Sequence, residues 1–231
     1  FDCGACGPDA TPAHAHADFL SIEASVAGER LIVDPGVPTY TAGPERSFAR
    51  SAAAHNGPIV AGVEPLELWG SFRVGRRTRA EAIEDATLGG FAPLWCAGRL
   101  DTNPGASMRR FVGLWPGSGL LICDTWSGAP GAASTSFLVA GDWRLAGDRP
   151  PRFSSGAAQV RVVSMAGDVQ PVDSARYWPR FDVEQPAHRI VLRPETRDNR
   201  YRAAVWLGWG ETAEPPGSEA LNSLLNRLVG T

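Results

Sequence analysis

The sequence contains no lysine: arginine supplies all 22 basic residues, against 25 acidic residues and a formal net charge of −3. The arginines are spread along the chain and form no basic stripe. Nucleic-acid-binding proteins need such a stripe or patch to meet the phosphates. We therefore expect no nucleic-acid partner.

Long apolar runs are also missing. A membrane-spanning helix needs about 20 mostly apolar residues, and no such run occurs, so no membrane span is predicted. The chain starts with Phe1-Asp-Cys-Gly, without an initiator methionine or a signal-peptide pattern. We expect that it is a piece of a longer protein.

Cysteine is scarce, with only Cys3, Cys6, Cys96 and Cys123. Cys3 and Cys6 form a C-x-x-C pair, but a zinc ribbon requires a second such pair, and none is present. We interpret Cys3 and Cys6 as ordinary thiols in a glycine-rich loop. A redox, disulfide or metal-binding role stays open.

Glycine and proline are abundant, with 26 and 19 residues, which is typical of many short strands joined by turns. The predicted fold class is all-β, an antiparallel β-sandwich that occupies residues 1–231 as one domain. A short C-terminal helix is predicted from Ser218 to Gly230. The predicted strands are Leu20–Val26, Arg30–Asp34, Ile59–Val63, Leu68–Val74, Met108–Trp115, Leu120–Trp126, Val160–Met165, Arg189–Arg193 and Tyr201–Trp209.

Histidine is rare, yet three of the four histidines, His14, His16 and His55, lie in the first quarter of the chain. Asp34 follows the apolar Leu31-Ile32-Val33 at the end of a predicted hairpin. Two imidazoles and one carboxylate form a ligand set that suits Zn²⁺. His14 and His16 could both reach one metal, or one could bind it while the other faces a cleft.

Two families of zinc hydrolases are disfavoured. Metallo-β-lactamase-type enzymes extend H-x-H-x-D with a further histidine, where this chain has Phe19, and they need more downstream histidines. An amidohydrolase needs a lysine, which is absent, and a full barrel.

The first 75 or so residues nevertheless resemble the C-terminal region of heparinase II/III-like polysaccharide lyases, a group that includes oligoalginate lyases. The order, composition and approximate spacing of several motifs agree. They are His14-Ala-His16-Ala-Asp18, Ser21-Ile-Glu23, Gly28-Glu-Arg-Leu-Ile-Val-Asp34-Pro-Gly36, Tyr40, Arg46-Ser-Phe48-Ala-Arg50, His55-Asn56 and Trp69-Gly70-Ser-Phe-Arg73.

The resemblance implies an N-terminal α/α toroid, absent from this chain, followed by the β-sandwich. It implies that His16, Asp34 and His55 hold a zinc in a structural or supporting role. It also implies that His14 faces the substrate cleft with Tyr40 beside it. The family's His-Asn-Thr is replaced by His55-Asn56-Gly57, which leaves the geometry of that loop open.

The function implied is cleavage of a uronic-acid-containing glycan by β-elimination, with the acidic glycan and the toroid domain as partners. His14 and Tyr40 are the candidate catalytic residues, and Arg46 and Arg50 are candidate substrate contacts, since arginine suits carboxylates. We expect little activity without the upstream domain. The alternative is a noncatalytic carbohydrate-binding or structural module. The substrate class suggests a periplasmic or secreted location, and a cytoplasmic one stays open.

Overall fold

A computed structural model describes residues 1–8, 10–102, 105–128, 131–197, 200–210 and 213–230. Two α-helices lie in this part of the chain, α1 (Pro44–Arg50) and α2 (Ser218–Gly230), together with 3₁₀ turns at Pro12–His14, Ala52–Ala54 and Ala86–Gly90. The strands, in chain order, are β1 (Ala24–Val26), β2 (Glu29–Ile32), β3 (Pro58–Val60), β4 (Leu68–Trp69), β5 (Arg73–Val74), β6 (Ala80–Ala82), β7 (Leu94–Asp101), β8 (Ser107–Trp115), β9 (Gly119–Ser127), β10 (Ala133–Ala140), β11 (Arg144–Asp148), β12 (Pro151–Ser155), β13 (Ala158–Ala166), β14 (Asp168–Val169), β15 (Asp173–Arg180), β16 (Val183–Arg193), β17 (Glu195–Arg197) and β18 (Arg200–Trp209).

The strands form two large sheets and one small hairpin. The first sheet has seven strands in the order β1-β2-β10-β16-β14, with β3 also paired to β10 and β15 to β16. The second has nine strands in the order β11-β12-β13-β18-β9-β8-β7-β6, with β17 also paired to β18. Pairing between these strands is antiparallel. The predicted antiparallel β fold is confirmed.

The two sheets enclose one apolar core. Leu31 and Phe137 of the first sheet join the same buried cluster as Phe153, Val160 and Val205 of the second. Inward-facing side chains from both sheets are therefore buried against one another, as in other β-sandwiches. This shared core is what fixes the position of the loops that leave the ends of β2 and precede β3.

The C-terminal helix covers the outer face of the second sheet. Its leucines pack with Leu121 and Trp206 of β9 and β18 in a second buried cluster. The helix therefore buries β9 on its outer face, and every residue from Gly119 to Trp126 is buried. The four buried leucines are Leu221, Leu224, Leu225 and Leu228, as the helical spacing predicts.

Two local predictions were wrong. The segment Leu68–Val74 is not one strand but the hairpin of β4 and β5, which turns at Gly70 with φ +66°. Helix α1 was not predicted, because its sequence Pro-Glu-Arg-Ser-Phe-Ala-Arg has no apolar face. Its buried face instead carries two arginines, which turn out to shape the candidate site.

Candidate functional site

The two histidines of the H-x-H pair face different neighbours. His14 ends the first 3₁₀ turn and is exposed, while His16 is partly buried and lies between the buried Ala15 and Ala17. The His14 ring meets the edge of Tyr40, with ring centroids 5.4 Å apart. The His16 ring lies 5.3 Å from that of His55.

Helix α1 holds this loop through Arg46 and Arg50, four residues apart on one face. Both arginines are fully buried. The Arg46 guanidinium lies 3.1 Å from His16 Nε2 and donates to the Ala13 carbonyl at 3.2 Å. It also lies over the Tyr40 ring, 5.0 Å from its centroid.

Arg50 collects three backbone carbonyls. It donates from Nε to Ala15 at 3.0 Å, from Nη1 to Gly70 at 3.1 Å and from Nη2 to Pro12 at 3.4 Å. Its own carbonyl accepts the Ala17 amide at 2.9 Å. The loop that carries both histidines is therefore held by hydrogen bonds to Arg50 at several points along its length.

Asp34 and His55 form a close pair. His55 Nδ1 and Asp34 Oδ2 are 2.7 Å apart, and the His55 side chain is almost completely buried. Burial opposes the charged forms of both groups. The hydrogen bond and the opposite charge outweigh burial, so the pKa of His55 is raised and the pKa of Asp34 is lowered.

Asn56 fixes the two partners of this pair to the first sheet. Its side-chain amide donates to the carbonyls of Ile22 at 3.1 Å and Val33 at 2.9 Å, and its Oδ1 accepts the Leu138 amide at 2.9 Å. Asn56 is thus inserted between the end of β2 and β10. Since Val33 precedes Asp34 and Asn56 follows His55, this bridge sets the distance between the two.

A buried ion pair supports the same loop from the second sheet. Arg110 on β8 makes a two-point contact with Asp124 on β9, at 2.7 and 2.8 Å. The same guanidinium donates to the carbonyls of Leu20 and Asn56 and to Thr135 Oγ1 on β10. Arg110 therefore links both sheets to the residue that follows His55.

The Gly57 position explains the departure from His-Asn-Thr. A Cβ at Gly57 would lie 2.5 Å from the Phe19 carbonyl oxygen. The chain approaches the H-x-H-x-D segment so closely here that no side chain fits. A glycine is therefore required by this loop geometry.

His16 is held neutral. Burial lowers its pKa to about 4, with further contributions from the positive charges of His55 and Arg46. Neutral imidazole is the form that binds metal ions. In the described part of the chain, the buried His55 Nε2 also has no hydrogen-bond partner.

The three predicted metal ligands are therefore brought together, but not as a finished coordination shell. His55 Nδ1 is already in hydrogen-bond contact with Asp34, and His16 Nε2 is in hydrogen-bond contact with Arg46. Across the described ranges no group of three or more His, Cys, Asp or Glu side chains is arranged to hold a metal ion. The donor types and the unpartnered His55 Nε2 fit zinc, and zinc binding stays a prediction.

The other sequence-based expectations are placed as follows. The rings of His14 and Tyr40 lie next to one another at the exposed edge of this cluster, and their role in a substrate cleft stays a prediction. Arg46 and Arg50 are buried against the loop, so their predicted contact with substrate stays untested. The four cysteines, Cys3 and Cys6 among them, lie in the described part of the chain and form no disulfide there.

Sequence reasoning missed Arg110, Asp124 and Phe181. Asp124 interrupts the apolar run from Leu120 to Trp126, and a carboxylate in a buried strand requires a partner. That signal was available. Phe181, which stacks on Tyr40 with centroids 5.2 Å apart, lies 141 positions further along the chain, and no local pattern connects the two.

The family model described as "Heparinase II/III-like, C-terminal" matches residues 1–207. The chain belongs to this family. The heparinase II/III-like assignment confirms the resemblance drawn from the first 75 or so residues and extends it through β18. No curated protein matches the chain.

Solved structures with a similar fold are heparinases and heparan sulfate lyases. A heparinase III with methylated lysines superposes with a TM-score of 0.62 at 15% identity, over 90% of this chain and 32% of the other. The heparan sulfate lyase HepC from Pedobacter heparinus gives 0.60 at 14% identity, over 88% and 32%. The heparinase II/III-like chain thus spans about a third of the length of these structures, at identities that show the fold alone.

Proposed function

We propose that this chain is the C-terminal part of a polysaccharide lyase that cleaves a uronic-acid-containing glycan by β-elimination. The observation that carries the proposal is the pairing of exposed His14 with Tyr40 directly beside the His16, Asp34 and His55 cluster. The family assignment supports the lyase class.

The chemistry explains why a histidine and a tyrosine are useful here. Elimination transfers the C5 proton of the uronate to a base, the electron pair of that bond forms a C4–C5 double bond, and the bond from C4 to O4 breaks as an acid protonates the departing O4. The C6 carboxylate must be neutralised so that the C5 proton becomes acidic. His14 and Tyr40 are the proposed proton-transfer groups, because both side chains are exposed and in mutual contact.

We assign Arg46 and Arg50 a positioning role. Their guanidinium groups are fully buried and donate to the backbone of residues 12–15 and of Gly70. A side chain that holds its own loop in this way sets where His14 points. Contact between these arginines and a substrate carboxylate would require the loop to open.

Zinc at His16, Asp34 and His55 is part of the proposal. Bound zinc would neutralise charge and brace the loop that carries His14. The purified chain should contain stoichiometric zinc by metal analysis, and His16→Ala should lose it. Chelation should lower the melting temperature of the wild type, because the metal binds only the folded state. Full zinc content in His16→Ala would refute the ligand set.

Elimination activity gives the direct test. We expect this chain alone to be inactive on alginate, heparan sulfate and hyaluronan, and a protein extended with its upstream region to be active. The readout is the ultraviolet absorbance of the unsaturated uronate. Turnover by the isolated chain would show that its site is complete. No elimination by either protein, with retained glycan binding, would favour the noncatalytic module.

The partners and the location follow from the substrate class. The acidic glycan and an upstream α/α toroid are the proposed partners, and export to the periplasm or medium is the proposed location. The described cysteines form no disulfide, so they give that location no support. Across the residues described here, no helix has the length and apolar character that crossing a membrane requires.

A further inference from the structure

A row of exposed aromatic rings extends from His14 to the tip of a hairpin. Tyr40 meets His14 edge-on on one side, and Phe181 stacks on Tyr40 with centroids 5.2 Å apart and planes 25° apart. Phe181 is 58% exposed and Tyr40 is 41% exposed. Large apolar side chains that are exposed together mark binding surfaces more often than isolated ones do.

Phe181 reaches this position because its hairpin projects beyond the sheet. β10 pairs with β16 only as far as Ala187, opposite Ala140. β15 continues to pair with β16 up to Arg180 opposite Val183, and Phe181 and Asp182 form the turn. The end of the hairpin is therefore a two-stranded ribbon, which is only marginally stable without an anchor.

The anchor is the loop that follows Asp34. The Trp178 amide donates to the Pro35 carbonyl at 2.8 Å, and Gly36 forms a parallel bridge with Trp178. Gly36 has φ +71°, and a Cβ there would lie 2.1 Å from the Trp178 carbonyl oxygen. Only glycine fits this contact, which fixes the hairpin to the segment that carries Asp34 and Tyr40.

We infer that Phe181 is a sugar-stacking residue that binds the pyranose ring next to the one held at His14 and Tyr40. The inference rests on the proposed function for the location of the reacting sugar. One face of a pyranose presents C–H groups and packs on an aromatic ring, while its hydroxyl and carboxylate groups remain at the edge. Phe181 offers such a ring, held in place by Tyr40 and by the Trp178 anchor, at the exposed end of the site.

Calorimetric titration of this chain with alginate and heparan sulfate oligosaccharides tests the inference, with cello-oligosaccharides as the neutral probe. Phe181→Leu keeps an apolar side chain but removes the ring, and it should weaken binding about tenfold. Phe181→Trp should bind at least as well as the wild type. Leu94→Ala is the control, because Leu94 is 54% exposed on β7 of the other sheet. All three variants should melt near the wild-type temperature.

Each outcome separates the inference from the proposed function. Wild-type affinity in Phe181→Leu, or an equal loss of affinity in Leu94→Ala, would overturn the stacking role. The proposed lyase function would then still be tested separately by the elimination assay. Ring-dependent binding of cello-oligosaccharides with no affinity for any uronate would support stacking and count against the acidic substrate. A wild-type chain that binds no oligosaccharide would overturn the inference.

Discussion

The loop clamp formed by Arg50 makes a quantitative prediction for Arg50→Lys. Lysine keeps the positive charge but carries a single ammonium group, whereas the guanidinium reaches three separate carbonyls. The Arg50 side chain and its hydrogen bond to Ala15 are buried, so the Ala15 carbonyl has no access to water without a structural change, whereas Gly70 is exposed. The substitution therefore tests hydrogen-bond geometry at constant charge.

The size of the effect follows from the contacts. Two of the hydrogen bonds, to Ala15 and Gly70, are well within the usual distance range, and the one to Pro12 at 3.4 Å is long and contributes little. Hydrogen bonds from charged donors contribute about 1.5–3 kcal/mol each, and unsatisfied buried carbonyls cost a similar amount. If the lysine keeps the hydrogen bond to Ala15 and loses the one to Gly70, whose exposed carbonyl can bind water instead, Arg50→Lys should lower the free energy of unfolding by about 2 kcal/mol.

Urea denaturation of metal-free protein measures this change. Arg30→Lys is the matched control, since Arg30 is half exposed and pairs with Glu23 at the surface. It should shift the free energy of unfolding by less than about 0.5 kcal/mol. A similarly small loss in Arg50→Lys would refute the clamp and leave the arginine free for another role.

Three further predictions follow. In a protein extended with its upstream region, His14→Ala should lower turnover about a hundredfold or more while zinc content and melting temperature stay unchanged; loss of zinc would place His14 on the metal. Arg110→Met and Asp124→Leu should each lower the free energy of unfolding, measured by denaturation, by about 3–5 kcal/mol, and the double variant should lose less than the sum of the two. Additive losses would contradict an energetic coupling between the two residues. The third prediction concerns protein with a chelator present. Between pH 6.5 and pH 4, His16 binds a proton in the unfolded chain but not in the folded chain, because its folded pKa is about 4. Wild-type stability should therefore fall on acidification by about 2 kcal/mol more than that of His16→Gln, and parallel pH curves would contradict this.

Much of the sandwich could be predicted because most of its strands are apolar runs between glycine-rich turns. Two strands that were not predicted, β10 and β15, lack this signal. β10 reads Ala-Ser-Thr-Ser-Phe-Leu-Val-Ala, and its polar first half is largely buried where β3 pairs with it and where Ser136 donates to the His55 carbonyl. β15 contains Pro179, which a strand tolerates at an edge but which argues against a strand in the sequence alone.

The candidate site was predictable where rare residues cluster and unpredictable where the backbone is the partner. Three histidines in the first quarter of the chain indicated where the candidate site lies. Apart from the Arg46 contact with His16 Nε2, the hydrogen-bond acceptors of Arg46 and Arg50 are carbonyl groups, which every residue possesses, so no pattern of residue types reveals them. The Arg110 contacts with Asn56 and Leu20 span 54 and 90 positions and exist only once both sheets have packed.

At three buried positions the use of arginine instead of lysine has a physical reason. Arg46, Arg50 and Arg110 are fully buried, and each donates to carbonyls of the loops that carry the candidate site. A guanidinium can satisfy several fixed acceptors at once with its planar set of five N–H groups, which an ammonium cannot do. Loops outside the regular sheets leave backbone carbonyls without strand partners, and buried arginines supply the missing donors. In the proposed site, the loop that carries His14 and His16 is therefore held in place by side chains that donate to its backbone.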